Sequence, residues 1–346
     1  GELLLFLDES QVAFLEDMMW ARGFLDRPQM SGAFAAIRSE DLIWSRATRR
    51  YFLGEADLPT DMTVWVNDTT RMPARMHSQY LRGVFDTVLN VWGYDMVKLD
   101  FLFAASMKPQ YRKSRGEMMT YGMMLLRDWV GDKWILGCGV PLGPSMNVVD
   151  YCRVSSDVYM KWEQKILKSL HARERLSVWN TMTTNIARRH LGGRFLLNDP
   201  DVYVLREENN KLKPAQKHTM FFVNNLFGQL VFTSDNINNY DAQTMAQYLS
   251  GFPLLPKTEM VVNKRGDAYE ATFAIGKRHY LAYINLSGKK QTWTLPAGEY
   301  FDAASGQIIT GGEVEIAPYT SICYYKLEGK GFQLLGGKGH IFPGSE

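Results

Sequence analysis

Two aspartates have the surroundings that bond-breaking chemistry needs. Asp100 lies in the apolar run MVKLDFLF, residues 96–103, two positions after Lys98. A carboxylate inside an apolar strand is costly unless paired or hydrogen-bonded. Lys98 falls on the same face, because side chains alternate along a strand. Asp157 closes the run DYCRVSSDV, residues 150–158, four positions after Arg153. Two carboxylates facing one pocket can cleave a glycosidic bond: one attacks the anomeric carbon or activates water, and the other protonates the leaving oxygen. The competing reading of each is a structural ion pair, Lys98 with Asp100 and Arg153 with Asp150 or another neighbour.

The elements that must position these residues alternate between strand and helix. Residues 10–23, 75–92, 116–130, 159–191, 214–227 and 241–249 carry helical periodicity. Between them fall apolar runs at 33–37, 96–103, 135–142, 150–158, 194–205 and 229–236, several of which end in Asp. Such alternation predicts an α/β fold with a parallel sheet. No GxGxxG follows a strand, which disfavours a dinucleotide-binding open sheet. A (β/α)8 barrel of the TIM type places its site at the C-terminal strand ends, where these polar residues would converge. After about residue 255 the texture changes to short alternating runs rich in β-branched and aromatic residues, separated by Gly, Asn and Pro turns. That predicts an antiparallel β-sandwich. The expected division is a catalytic barrel at 1–254, a sandwich at 255–328 and a loosely ordered, Gly-rich tail at 329–346.

The run WGYDMVKLDFLF resembles the nucleophile strand of glycoside hydrolase clan D, the α-galactosidase (melibiase) families 27 and 36. LGCGVPLGPSMNVVDYCRVSSDVYMKW is similar to the next block of family 36, a Cys–Gly–x–Pro–Leu loop followed by Arg-x-x-x-Asp. FLLNDPDVYVLR and FTSDN resemble later barrel strands, and the ordered blocks cover roughly residues 30–250. The resemblance implies a retaining, exo-acting glycosidase that cleaves terminal α-galactosides by double displacement. Asp100 would be the nucleophile and Asp157 the acid/base. Lys98, Arg153, Cys138 and Trp162 would contact substrate, with Arg153 alternatively orienting Asp157. Trp134 could also line the pocket, with core packing the alternative for both tryptophans and a buried structural role the alternative for Cys138. Asn198, Asp199, Asp201, Ser234 and Asp235 would mainly fix strand ends. Lys98 should hold Asp100 ionised, and partial burial should keep Asp157 protonated. Asn147 stands where related sequences often have Gly. No segment matches the family's first strand or its acidic pair, so the resemblance implies an N-terminally truncated barrel lacking one or two strands. Residues 3–6 would be the end of the second strand and 33–37 the third. Another α-glycosidase activity (α-N-acetylgalactosaminidase or α-glucosidase) and an inactive carbohydrate-binding fragment are the alternatives.

Composition excludes other classes. The 346 residues are 46% hydrophobic and 22% charged, with a net charge of +2. This suits a globular chain and gives no electrostatic footprint for nucleic acid or an anionic membrane. No apolar run is long enough to span a bilayer. Six histidines and three cysteines (Cys138, Cys152, Cys323) show no metal-ligand spacing, so neither a metal nor a cofactor is expected. The odd cysteine count argues against a disulfide framework and suits a cytoplasmic location. The expected partner is an oligosaccharide or α-galactoside, and self-association is left open.

Overall fold

In a computed structural model of the chain, the described residues are the backbones of 42–45 and 50–53, then 81–103, 112–172, 175–302, 305–328, 341–342 and 344. The expected strands at 3–6 and 33–37 and the helix at 10–23 lie outside them. The chain divides into two compact units, Gly1–Asp150 and Tyr151–Glu346.

In the first unit, β1 (Leu42–Ser45) and β2 (Arg50–Leu53) form an antiparallel pair that the periodicity did not announce. Residues 81–86 are helical and continue as a π-helical turn, Thr87–Val91, which Gly93 at φ 75° brings to a close. β3 (Met96–Leu99) and β4 (Trp134–Gly137) pair in parallel, Met96 opposite Trp134 and Leu99 opposite Gly137. The helix Arg115–Val130 crosses between them. Its start is set by Ser114 and Glu117, which exchange backbone and side-chain hydrogen bonds as a capping box. Its end is set by Gly131 at φ 65°. Met118, Met119, Met123, Leu126 and Val130 bury one helix face. Arg127 ties helix to strand, donating to the carbonyls of Val148, Gly131 and Lys133 and pairing with Asp150 at 2.6 Å. Asp150 therefore belongs to Arg127, not to Arg153.

In the second unit, β5 (Tyr151–Arg153) pairs in parallel with β6 (Leu197–Asp199), and β7 (Val202–Tyr203) with β8 (Phe232–Thr233). The stretch 159–191, expected to be mostly helical, is so, with a loop at its start. Among the described residues Lys165–Ser169 and Val178–Arg188 are α-helical and Arg189–Leu191 form a 3-10 turn, while residues 154–164 are spent on a loop that other side chains hold. The helix Pro214–Phe227 matches its expected span, with Pro at its first turn and Gly228 after it.

β9 (Thr258–Arg265), β10 (Ala268–Ile275), β11 (Arg278–Asn285), β12 (Gln291–Asp302), β13 (Gln307–Ile316) and β14 (Ser321–Leu327) form one antiparallel sheet in the order β13-β12-β14-β11-β10-β9. The sandwich expectation is met by layering rather than by two separately bonded sheets. One face of β10 and β11 (Phe273, Tyr280, Ala282, Ile284) packs on the helix residues Phe221, Phe222 and Met220. The other face (Leu281, Tyr283) is covered by Trp293 and Leu295 of β12, where a register shift between Leu295 and Glu299 bends the strand. Phe342 is also buried, its ring 5.6 Å from that of Phe273 and 6.0 Å from that of Phe222, while most of the expected tail at 329–346 lies outside the described residues.

Candidate active-site residues

Asp100 follows β3 directly, the position at which a parallel strand presents a side chain to a site. Asp100 and Lys98 are both exposed, as the two-residue period requires. The Asp100 Oδ1 accepts the peptide N–H of Phe101 at 2.7 Å. The neighbouring strand end is stitched to this one. Cys138 N–H donates to the Leu99 carbonyl and Phe103 N–H to the Gly139 carbonyl, both at 2.8 Å. Cys138 is buried, and no disulfide joins any of the three cysteines. Trp134 stands at the start of β4, the opposite end of the strand pair from Asp100, which removes it from the residues that could act with that carboxylate. Asn147 adopts φ 60°, a conformation glycine takes freely and asparagine more readily than most residues. That is the physical reason it can stand in a glycine's place.

In the second unit, Arg153 closes β5 and gathers three carboxylates. Its Nη1 lies 3.0 Å from Asp157 Oδ1 and 2.8 Å from Asp201 Oδ2, and its Nε donates to Asp199 Oδ2 at 3.1 Å. The Arg153, Asp199 and Asp201 side chains are 5%, 0% and 7% exposed, but Asp157 is 67% exposed. The partial burial expected of an acid/base at Asp157 is thus not in place. Arg153 turns its Nε and Nη1 donors inward to three carboxylates. Burial raises the Asp201 carboxyl above its ordinary range, against the opposing pull of Arg153 and of two peptide N–H donors, Val158 and Val202. Asp201 itself sits at φ 75°.

Several residues that the sequence reading missed shape the loop that carries Asp157. Thr181 Oγ1 donates to the carbonyls of Ser156 and Asp157, and Asn180 Nδ2 donates to Ser156 Oγ. Asn185 and Asn224 donate to the carbonyls of Pro200 and Asp201. The signal for them was polar residues on otherwise buried helix faces. Asn198 takes Gln229 Oε1 on its peptide N–H, a strand-fixing role as expected. Asp235 is fully buried and spent. It accepts from the peptide N–H groups of Leu205 and Arg206, from Arg206 Nη1 and from the Tyr240 hydroxyl. Ser234 lends its carbonyl to the same Arg206. Trp162 packs edge-on against Tyr319, ring centroids 5.0 Å apart, and joins the core below the sheet rather than the Arg153 cluster. Among the described residues no group of three or more His, Cys, Asp or Glu is arranged to hold a metal ion, and no helix is long and apolar enough to cross a membrane.

No protein-family model matches the chain. Among solved structures, it is similar to a GH27 β-L-arabinopyranosidase from Geobacillus stearothermophilus (TM-score 0.57, 15% identity, 79% of this chain and 67% of that one). It is also similar to α-galactosidase I from Mortierella vinacea (TM-score 0.56, 11% identity, 70% of each chain). An α-galactosidase from Thermus thermophilus, solved with p-nitrophenyl α-D-galactopyranoside, matches at TM-score 0.50 and 21% identity over 70% of this chain. The chain spans 47% of that enzyme. The fold is therefore like that of these α-galactosidases: an α/β barrel of the TIM type followed by an antiparallel sheet. Sequence similarity to curated proteins points elsewhere. Over 85 residues the chain is 41% identical to a poly(3-hydroxyalkanoate) polymerase subunit of Rhizobium meliloti and 44% identical to that of Rhizobium etli. Those stretches cover 25% of this chain and only 14% and 13% of the two polymerases.

Proposed function

We propose that the chain is a retaining, exo-acting glycoside hydrolase acting on terminal α-galactosides, with Asp100 as nucleophile and Asp157 as acid/base. The observation that carries this reading is the α-galactosidase-like fold, with each aspartate just past the end of a parallel strand and exposed. In the first step a carboxylate oxygen of Asp100 bonds to the anomeric carbon as the glycosidic C–O bond breaks. The leaving oxygen takes the proton of Asp157. Asp157 then deprotonates water, which displaces Asp100 and restores both groups. Lys98, exposed beside Asp100, donates to ring hydroxyls, and Cys138 packs beneath the sugar. A cytoplasmic location fits this reading and its soluble sugar substrate.

The test is release of p-nitrophenol from the α-galactoside by the full chain. Asp100→Ala should abolish turnover while the melting transition stays put. Asp157→Ala should spare activated leaving groups, which need little protonation, and azide should partly restore its rate as a galactosyl azide. A stable Asp100→Ala protein with parental turnover would end the assignment. A panel of nitrophenyl glycosides separates α-N-acetylgalactosaminidase and α-glucosidase activity. Calorimetric galactose binding without hydrolysis would mark a carbohydrate-binding fragment.

The polymerase likeness supports a second reading, synthesis of a poly(3-hydroxyalkanoate). It rests on a quarter of the chain, while the barrel likeness rests on seven-tenths of it or more. Polymer formation from 3-hydroxyacyl units without α-glycoside hydrolysis would favour it.

A further inference from the structure

We infer that Gly139 is a positioning residue for the Asp100 carboxylate. The inference rests on the glycosidase reading of Asp100 and adds a residue to it. Gly139 lies in the loop after β4, at φ 55°, facing the end of β3. A methyl group built on it would come within 3.1 Å of Phe101 N, 3.2 Å of Phe101 Cα and 3.3 Å of Asp100 Oδ1. Two of these three neighbours are backbone atoms, which cannot rotate away as a flexible side chain could.

The same backbone is under constraint from the other side. Phe101 has φ 52°, rare for a bulky residue and sustained only where the surroundings over-determine it. Three hydrogen bonds supply that constraint: Cys138 N–H to Leu99 O, Phe103 N–H to Gly139 O, and Phe101 N–H to Asp100 Oδ1. The Phe101 peptide is thus turned so that its N–H fixes the rotamer of Asp100, and the bare α-carbon of Gly139 leaves room for that turn. A side chain at 139 would push on the Phe101 peptide and the Asp100 oxygen together. A nucleophile displaced by about 1 Å costs roughly 100-fold in rate without removing any binding contact.

The test is steady-state hydrolysis of p-nitrophenyl α-galactoside by the full chain carrying Gly139→Ala, with thermal unfolding followed in parallel. The expected result is a kcat lower by roughly 100-fold with KM within about threefold, the pattern of a misplaced reacting group rather than lost binding. A folded Gly139→Ala protein with parental kcat overturns the inference. Gly139→Asn carries the same Cβ on a residue that accepts a left-handed backbone. Loss of kcat there with parental melting separates displacement of the carboxylate from unfolding, and parental kcat again overturns it. If the parent chain does not hydrolyse the substrate, the glycosidase reading fails on its own. The positioning claim is then decided by hydrogen exchange at the Phe101 amide. Exchange at least about tenfold faster in the glycine variants supports it, and unchanged exchange overturns it.

Discussion

The strands that carry Arg153 and Asp199 are three residues long, whereas those of the C-terminal sheet run from seven to twelve. The two regions belong to one compact unit but are held by different forces. Around β5 and β6, ladder hydrogen bonds are few, and a buried guanidinium joined to three carboxylates takes their place. Across β9–β14 the binding is aromatic: Trp293 stacks on Tyr324 at 5.8 Å and Phe273 on Tyr280 at 5.2 Å. Charge networks fix direction and position but are costly to break at a buried member. Apolar layers tolerate more but orient no single group. The loop that carries Asp157 is held the first way.

The largest break in that contrast should come from Arg153→Met. Asp199 and Asp201 would be left buried without a counter-charge, and the loss should be about 3–5 kcal/mol by denaturant unfolding. Asp157→Asn, removing the exposed member, should cost under about 1 kcal/mol. Equal losses from the two would show that the network is not centred on the buried pairs. In the sheet, Trp293→Ala should cost about 3 kcal/mol or more through an unfilled cavity, with no change in the pH dependence of unfolding.

A smaller effect comes from Lys257, whose ammonium is buried 5.0 Å over the Phe342 ring and whose pKa burial pushes down to about 7 from 10.5. Between those values the unfolded chain binds more protons than the folded one, so this group makes stability rise with pH from about 7 to 10.5. Melting curves of the parent and Lys257→Met across that window should converge at high pH and separate toward neutrality. Parallel curves would remove Lys257 from the account. The smallest effect is expected at Tyr280, whose hydroxyl is buried with no hydrogen-bond partner among the described residues. Tyr280→Phe should be neutral to within about 0.5 kcal/mol or slightly stabilising. A loss above about 1 kcal/mol would reveal a hidden polar contact in the aromatic layer.

The sequence was most readable where one local rule settled the matter. Pro214 and Gly228 bracket a helix whose bounds periodicity finds correctly, and Ser114 with Glu117 announces another. Asp100 and Asp157 were legible as carboxylates after apolar runs. The partners of Arg153 were not, because Asp199 and Asp201 lie 46 and 48 positions away and only the fold brings them in. Residues 154–158 read as the end of a strand and 159–164 as the start of a helix, where the structure has one loop. Its hydrogen bonds to Thr181, Asn180 and Asp201 are long-range and leave no local trace. Trp162 packs against the core, the alternative that residue type left open beside a place in the pocket.

The strand order of the sheet sets a timetable for its assembly. β9, β10 and β11 follow one another as neighbours, and β12 pairs with β13, so each group can close locally as it leaves the ribosome. β14 comes later in the chain yet lies between β11 and β12, bonded to both. Until β14 is made, the nascent protein holds two half-sheets, each with a bare edge of backbone donors and acceptors open to other chains. The interval between the synthesis of β13 and of β14 is therefore the period in which this protein is most prone to wrong association, and slowed translation there should lower its soluble yield.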